Sequence, residues 1–444
     1  MKKLMFILSC IAVAAVMTSC KDNGAKEARA ELNAPFNQER EFMREAIRHH
    51  SPDVQRVDLI GNTVVYTHIF DGIIDVKTYT YDGDVCVEAE RIYTIENMAY
   101  KIQEVGIIRA IEVIQKDLPS NKQCKVIVMR QEIPEMVLTY EPITTDTTSV
   151  PKWNASYDLG SSWKEIKKIK GKNSSRYKVD ILIYPQFSFQ NMDITKVYQV
   201  MFSLNPAVEV SLWPGMKLTG QVILPLIVDT KGYAAYSPIY KKVRPGFLTL
   251  SQRFRLPFNI RGKGTIGYFN QDQYGLDFQL LYPFKDERFS IESRIGYTGW
   301  GFWDGFSLVY NDQYQWTWNI GANFFWPKYD VMFSLKAEKY LMGEKGVRFD
   351  MVRHFKYASV GFYAMKAKEA NSNGGFLFQI ALPPYKQNRN KYIPRISTSR
   401  NMGIIYNAGN ERIYYKQYRS ETSDKLMEEN YFNSKYIENK LSNY

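Results

Sequence analysis

From about residue 177 to residue 406 the chain alternates between apolar and polar side chains, with almost no helical period to interrupt it. Successive side chains on a strand point to opposite faces, so this pattern dictates extended chain with one greasy and one wet side. In LTLSQRFRLPFNI, residues 248–260, Leu248, Leu250, Phe254, Leu256, Phe258 and Ile260 share a face, broken only by Gln252. Thr249, Ser251, Arg253, Arg255 and Asn259 take the other. Pro257, which cannot donate to a ladder, falls near the strand end, where that matters least. The same texture recurs in YKVDILIYPQFSF, QYGLDFQLLYPF, WTWNIGANFFW and YDVMFSLKAEKYL.

Either a protein core or lipid can cover such a greasy face, and three features favour lipid. The segments run to about 10 to 13 residues, longer than the average strand of about 5 to 6 and matched to the roughly 9 to 11 that a tilted membrane strand needs. The opposite face holds Gly, Asn, Gln, Thr and charges, as a wet lumen requires. Aromatics gather at segment ends (Tyr274, Tyr282, Phe284, Trp316, Trp326, Tyr329, Tyr340), the placement of interfacial girdles. The expected fold is mainly β: an outer-membrane antiparallel β-barrel over residues 176–406, of about 12 to 14 strands, closed because lipid cannot satisfy an open edge. Arg253 and Arg255 then point into the barrel. A large soluble β-protein is the competing reading.

The first residues agree with an envelope address. MKKLMFILSCIAVAAVMTSC has a basic start, a short apolar run and small residues before Cys20. Residues 1–19 read as a lipoprotein signal peptide and Cys20 as the site of lipid attachment. Several acyl chains anchor stably where one does not. Beyond Cys20 no run of 18 apolar residues follows, so no transmembrane helix is expected.

Residues 20–35 read as a polar tether, and NQEREFMREAIRHH as a short amphipathic helix. Residues 36–145 read as a small α+β domain, placed in the periplasm. Asp71-Gly72 and Asp82-Gly83 separate β-rich runs as two-residue hairpin turns would. Ile107, Ile111, Ile114 and Leu118 then line one helix face until Pro119, and CKVIVMRQE and EMVLTYEP add two strands. Residues 146–175 read as a linker, and 407–444 as a polar C-terminal tail able to form a helix. Cys86 and Cys124 both fall in expected strands of the small domain; they either pair as a disulfide or stay as buried thiols.

The formal charge is +12, which suits an anionic partner. With the leader, that means lipid headgroups or an acidic polymer, not nucleic acid. His49, His50, His68 and His354 do not lie at metal-ligand spacing, and no phosphate-cradling loop or nucleophile elbow occurs. No carboxylate pair is singled out among 46 acidic residues. The expectation is a protein without catalytic residues, metal or cofactor. GYTGWGFWDGF, residues 296–306, is the densest aromatic and glycine patch. It reads either as an interfacial hairpin or as a place where Trp300 or Trp303 stacks on sugar rings.

Several stretches, in order, resemble the YjbH-type exopolysaccharide-biosynthesis outer-membrane proteins. They are RAIEVIQKDLPSNKQCKVIVMRQEIPEMVLTYEP, SLWPGMKLTGQVILPLIVD, RFSIESRIGYTGWGFWDGFSLVY, AEKYLMGEKGVRFDMVRHFKYASVGFYAM and SNGGFLFQIALPP, spanning about residues 100 to 406. The chain departs from the family at KYLMGEKG, which lacks a tryptophan beside the last glycine, and in carrying one barrel where larger members carry two. The resemblance implies a lipoprotein taking part in export or assembly of capsule or other extracellular polysaccharide. Its partners would be the lipid bilayer, a polysaccharide of acidic character and periplasmic export proteins. It supplies no catalytic residues. Arg253 and Arg255, with Trp300 and Trp303, are the candidate lumen contacts for such a glycan.

Overall fold

The computed structural model describes residues 54–60, 63–70, 73–80, 91–117, 123–142, 152–161, 163, 176–190, 199–229, 238–368, 370–388, 393–407, 417–423, 427 and 430–442. Cys20, Cys86, the expected helix over 37–50 and most of the linker lie outside these residues. Those from Gln55 onward form one unit, built on two sheets.

The smaller sheet has seven strands in sequential order: β1 (Val54–Ile60), β2 (Thr63–Phe70), β3 (Ile73–Thr80), β4 (Arg91–Asn97), β5 (Cys124–Arg130), β6 (Ile133–Glu141) and β7 (Lys152–Ser156). Phe70 pairs with Ile73, so β2 and β3 form the tight hairpin that Asp71-Gly72 announces. Asp82-Gly83, the second expected turn, lies outside the described residues, and the next described strand begins at Arg91. β4 and β5 are parallel, and helix α1 (Gln103–Asp117) makes the crossover such a pair needs. Its stripe is as the spacing predicts: Ile107, Ile111 and Ile114 are buried, packing with Tyr93, Ile95, Val126, Val128, Met136 and Leu138. Cys124 is buried in this core.

Two boundaries differ from expectation. β7 lies inside the stretch read as a linker, because KWNAS is too short and mixed to stand out, yet it completes the sheet beside β6. The end of the chain is no loose polar tail. Helix α2 (Ser434–Ser442) buries Tyr436, Ile437 and Leu441 in the small domain's core, and Met427, Tyr431 and Phe432 join them.

The larger sheet has fourteen strands: β8 (Val179–Gln190), β9 (Gln199–Ser211), β10 (Met216–Asp229), β11 (Arg244–Arg255), β12 (Arg261–Tyr268), β13 (Gln273–Pro283), β14 (Phe289–Asp304), β15 (Ser307–Trp326), β16 (Val331–Lys339), β17 (Lys345–His354), β18 (Ala358–Ala367), β19 (Asn373–Ala381), β20 (Arg395–Thr398) and β21 (Asn401–Asn407). From β8 to β19 each strand pairs antiparallel with the next. β21 continues the order beside β19, and β20 pairs in parallel with β8. Only Ser399 and Arg400 separate β20 from β21, so one short segment touches both ends of the ladder. Ser399 N–H donates to the Ile183 carbonyl at 2.8 Å.

The 248–260 segment is shorter as a strand than its pattern suggests. β11 ends at Arg255, and Pro257 belongs to the turn. Phe258 and Asn259 there have φ of 60°, the left-handed conformation that primed hairpin turns require. Proline therefore costs the ladder nothing. No helix among the described residues is long and apolar enough to cross a membrane.

Candidate functional site: the polar face of the large sheet

Burial on the large sheet is inverted relative to a soluble core. Its polar side chains are shielded: Thr249, Ser251, Thr265, Asp277, Thr317, Ser334, Asp350 and Gln379 are all buried. The alternate residues, which are apolar, stand open: Leu248 is 41% exposed, Ile266 53%, Leu276 52%, Ile320 54%, Leu335 59% and Phe362 58%. Exposed aromatics cluster toward both ends of the strands. Trp326–Tyr329 (4.7 Å between ring centroids) lies toward the end that meets the small domain, and Tyr297–Trp316 (4.7 Å) toward the other.

Along the shielded face lies a cavity of about 420 Å³ whose lining comes from strands between β11 and β21, from the C-terminal segment and from Arg130, Ile133, Pro134, Glu135 and Tyr157 of the small domain. Nine cationic side chains line it against six carboxylates. Strand register builds its floor in transverse rows. Arg253 sits opposite Lys263, Lys263 opposite Gln279, Gln279 opposite Arg294, Arg294 opposite Asn319, and Asn319 opposite Glu338. Two residues along, the next row reads Ser251, Thr265, Asp277, Gly296, Thr317.

The charges in this interior are paired locally. Asp277 accepts from Arg294 at 2.5 Å, Arg348 meets Asp350 at 2.7 Å, and Lys336 meets Glu292 at 2.5 Å. Buried ion pairs of this kind gain little on balance, but breaking one strands a charge at a cost of about 3–5 kcal/mol.

The segment 417–422 lies along this polar face. Arg419 N–H donates to the Asn270 side-chain oxygen and its carbonyl accepts from Asn270 N–H at 3.4 Å, at the turn between β12 and β13. The Tyr418 hydroxyl donates to Asp277 at 3.0 Å, and Ser420 donates to its other oxygen at 2.7 Å. Glu421 takes Arg253 at 2.8 Å and Lys263 at 2.6 Å. The Thr422 hydroxyl meets the Tyr184 hydroxyl on β8 at 3.0 Å and Glu209 on β9 at 2.8 Å. Further on, Met427 N–H donates to Gln379 on β19 at 2.6 Å. Gly296 is the wall position that admits Tyr418: a Cβ there would collide with its hydroxyl.

The singled-out residues separate on this map. Arg253 does line the cavity, bound to Glu421. Arg255 does not act as a cavity contact. Its guanidinium donates to the carbonyls of Pro134 (3.1 Å), Glu135 (3.0 Å) and Tyr157, and so ties β11 to the small domain. Trp300 and Trp303 are not among the cavity's lining residues. Both are on the long β14–β15 hairpin, away from the small domain; Trp303 is half-buried edge-on against Tyr268 at 5.8 Å. Lys263, Glu421, Asp277 and Arg294 were not singled out by the sequence. Lys263 and Arg294 show only as charges on the polar side of an alternation, and Glu421 falls in a segment without period.

The end carrying the β11–β12 turn is clamped by the small domain. Glu287 accepts from the Ser156 hydroxyl (2.7 Å) and Tyr157 N–H (2.8 Å), and Arg261 pairs with Glu135 at 3.3 Å. Arg395 on β20 grips Asp180 on β8 at 2.9 Å and the Met98 carbonyl. Lys101 donates to the carbonyls of Leu382 and Ser399, both at 3.1 Å, and to the Thr398 hydroxyl. Burial, with Arg395 and Arg400 nearby, pushes the Lys101 amine down to about 8. In the same domain, burial and the neighbouring Glu132 push the Glu96 carboxyl up to about 7.

Among the described residues no group of three or more His, Cys, Asp or Glu is placed to hold a metal ion. No family model matches the chain, and no curated protein is significantly similar to it.

Proposed function

We propose that the large sheet closes into a β-barrel in the outer membrane, anchored through a lipid on Cys20, and that the protein takes part in export or assembly of an extracellular polysaccharide. The observation that carries the membrane reading is the inverted burial: polar side chains sheltered within, large apolar ones open without. In water that outer face would be an apolar patch far beyond the few hundred Å² that soluble monomers tolerate. In a bilayer it is a solvated surface, with aromatic girdles at two levels. Closure is supported by the segment 395–407, whose two short strands pair with the first and last long strands of the ladder. A closed ladder leaves no edge for lipid to satisfy.

The role in polysaccharide export rests on the resemblance to YjbH-type proteins, and the basic interior is compatible with an acidic glycan. The protein acts passively in this reading. The small domain, held in the periplasm, docks export proteins. Deletion of the gene is expected to remove most surface polysaccharide, restored by the intact chain; normal surface polysaccharide in the deletion strain rejects the role. Unboiled protein is expected to migrate faster on a detergent gel than boiled protein, and identical migration rejects the barrel.

A second reading, a barrel that binds glycan at the surface or serves as a scaffold without transport, is favoured by the segment 417–422 lying across the interior. Liposome swelling separates the two, since a plugged barrel admits no sugars.

A further inference from the structure

Arg253 and Lys263 face each other directly across β11 and β12. Like charges at that position repel. Neither is left in water: their side chains are 16% and 6% exposed. A shared anion resolves the conflict, and Glu421 supplies it, with one carboxylate oxygen 2.8 Å from the guanidinium and 2.6 Å from the ammonium. The fork of an arginine beside the point charge of a lysine is a carboxylate receptor.

The carboxylate that fills the seat is not part of the wall. It is carried by a segment that belongs to neither sheet, whose polar side-chain contacts are Tyr418 and Ser420 on Asp277 and Thr422 on Tyr184 and Glu209. The wall is shaped for this guest, since Gly296 leaves the space that Tyr418 occupies. Tyr418, Ser420, Glu421 and Thr422 present hydroxyls, an aromatic ring and one carboxylate to the wall, groups by which a protein segment imitates a stretch of acidic sugar, while Arg419 between them bonds through its backbone to Asn270. The one apolar anchor within 417–422 is Tyr418, stacked on Phe269 at 5.3 Å beside Leu341; the larger anchor lies beyond it, where Met427, Tyr431, Phe432 and α2 join the small domain's core.

We propose that Arg253 and Lys263 form a seat for the carboxylates of an acidic sugar chain, and that Glu421 is its internal occupant, displaced when the polymer enters. The idea rests on the barrel and polysaccharide reading and adds its regulation. Residues 417–422 are a built-in competitor that keeps the interior shut to neutral sugars and yields to a polyanion. The seat selects carboxylate-bearing residues spaced along a chain, because a single carboxylate competes poorly against one tethered at high effective concentration.

The test uses the full chain in detergent, with tetragalacturonate as the probe and maltotetraose as its neutral counterpart. Glu421→Gln keeps the shape and removes the competing charge. It is expected to tighten tetragalacturonate binding at least tenfold and to leave maltotetraose unchanged. Adding Arg253→Gln should cancel the gain. No gain in Glu421→Gln, or an equal gain for the neutral sugar, overturns the proposal. A second measurement leaves Glu421 in place. In Thr422→Cys the introduced thiol is shielded, and its reaction with a maleimide should accelerate several-fold with tetragalacturonate but not with maltotetraose. Acceleration by both sugars, or by neither, overturns displacement. The export reading fails separately: if the deletion strain keeps its surface polysaccharide while Glu421→Gln still gains affinity, the role falls and the seat stands.

Discussion

The two sheets of this chain follow opposite rules with the same alphabet. In the small domain Ile107, Ile111 and Ile114 vanish into a core with Val126 and Leu138. In the large sheet the isoleucines are outside, Ile266 and Ile320 more than half exposed, while Asp277 and Thr317 are sheltered. Hydrophobic burial stabilises the first at about 1.5–3 kcal/mol per large side chain. The second has no such term in water and needs an apolar solvent to gain it. The difference teaches that alternation alone fixes which residues share a face. What lies against that face follows from strand length and from the polarity of the partner face.

Substitutions that violate each rule should break the comparison in order of size. The largest effect is expected from Asp277→Ala, which strands Arg294 in the interior and takes the Tyr418 and Ser420 anchors with it. It should cost about 3–5 kcal/mol, read as a lowered urea midpoint of the fast-migrating folded band. Ile111→Ala empties a filled position between α1 and the small sheet. It should cost about 2–5 kcal/mol in the small domain and leave the folded band of the large sheet in place.

Ile320→Arg puts a charge on the outward face, where a soluble protein would accept it without loss. In a bilayer it should cost about 2–4 kcal/mol and reduce insertion into liposomes, an effect that shrinks toward the strand ends. Lys101→Met leaves the Leu382 and Ser399 carbonyls without their donor where β20 meets the small domain. A loss of about 1–3 kcal/mol is expected, seen as a lowered urea midpoint of the folded band.

A pH dependence is expected in the small domain. Glu96 binds its proton more tightly folded, at about 7 against an ordinary 4.5. The folded state therefore holds the extra proton between those values, and stability falls as pH rises through that window. Thermal unfolding of the small domain should come earlier at pH 8 than at pH 5, and Glu96→Gln should remove most of this group's share of the difference.

Much of the architecture could be read from the chain because it is periodic. The α1 stripe, the first Asp-Gly hairpin and most of the long strands β8 to β19 announce themselves through spacing. What escaped has no period. KWNAS joins a sheet although nothing local demands it, since its partner β6 is set by tertiary pairing. YRSET, residues 418–422, reads as solvated tail, yet its Tyr, Ser, Glu and Thr each meet an inward group on a wall far away in sequence. Arg253 and Arg255 are two residues apart on one face and look equivalent. One register step places the first over the cavity and the second against the carbonyls of Pro134 and Glu135. Sequence periodicity supplies the face of a side chain; its distance from the end of the strand, which decided these two roles, depends on turns that the pattern blurs, as Phe258 and Asn259 did.

The most direct test of the central claim is collision accessibility of a nitroxide attached through Ile320→Cys in the protein reconstituted into bilayers. The account predicts strong relaxation by molecular oxygen, which concentrates in hydrocarbon, and weak relaxation by a water-soluble nickel chelate. The reverse order, with nickel dominant at Ile320, would show that the outer face meets water and would contradict the membrane reading.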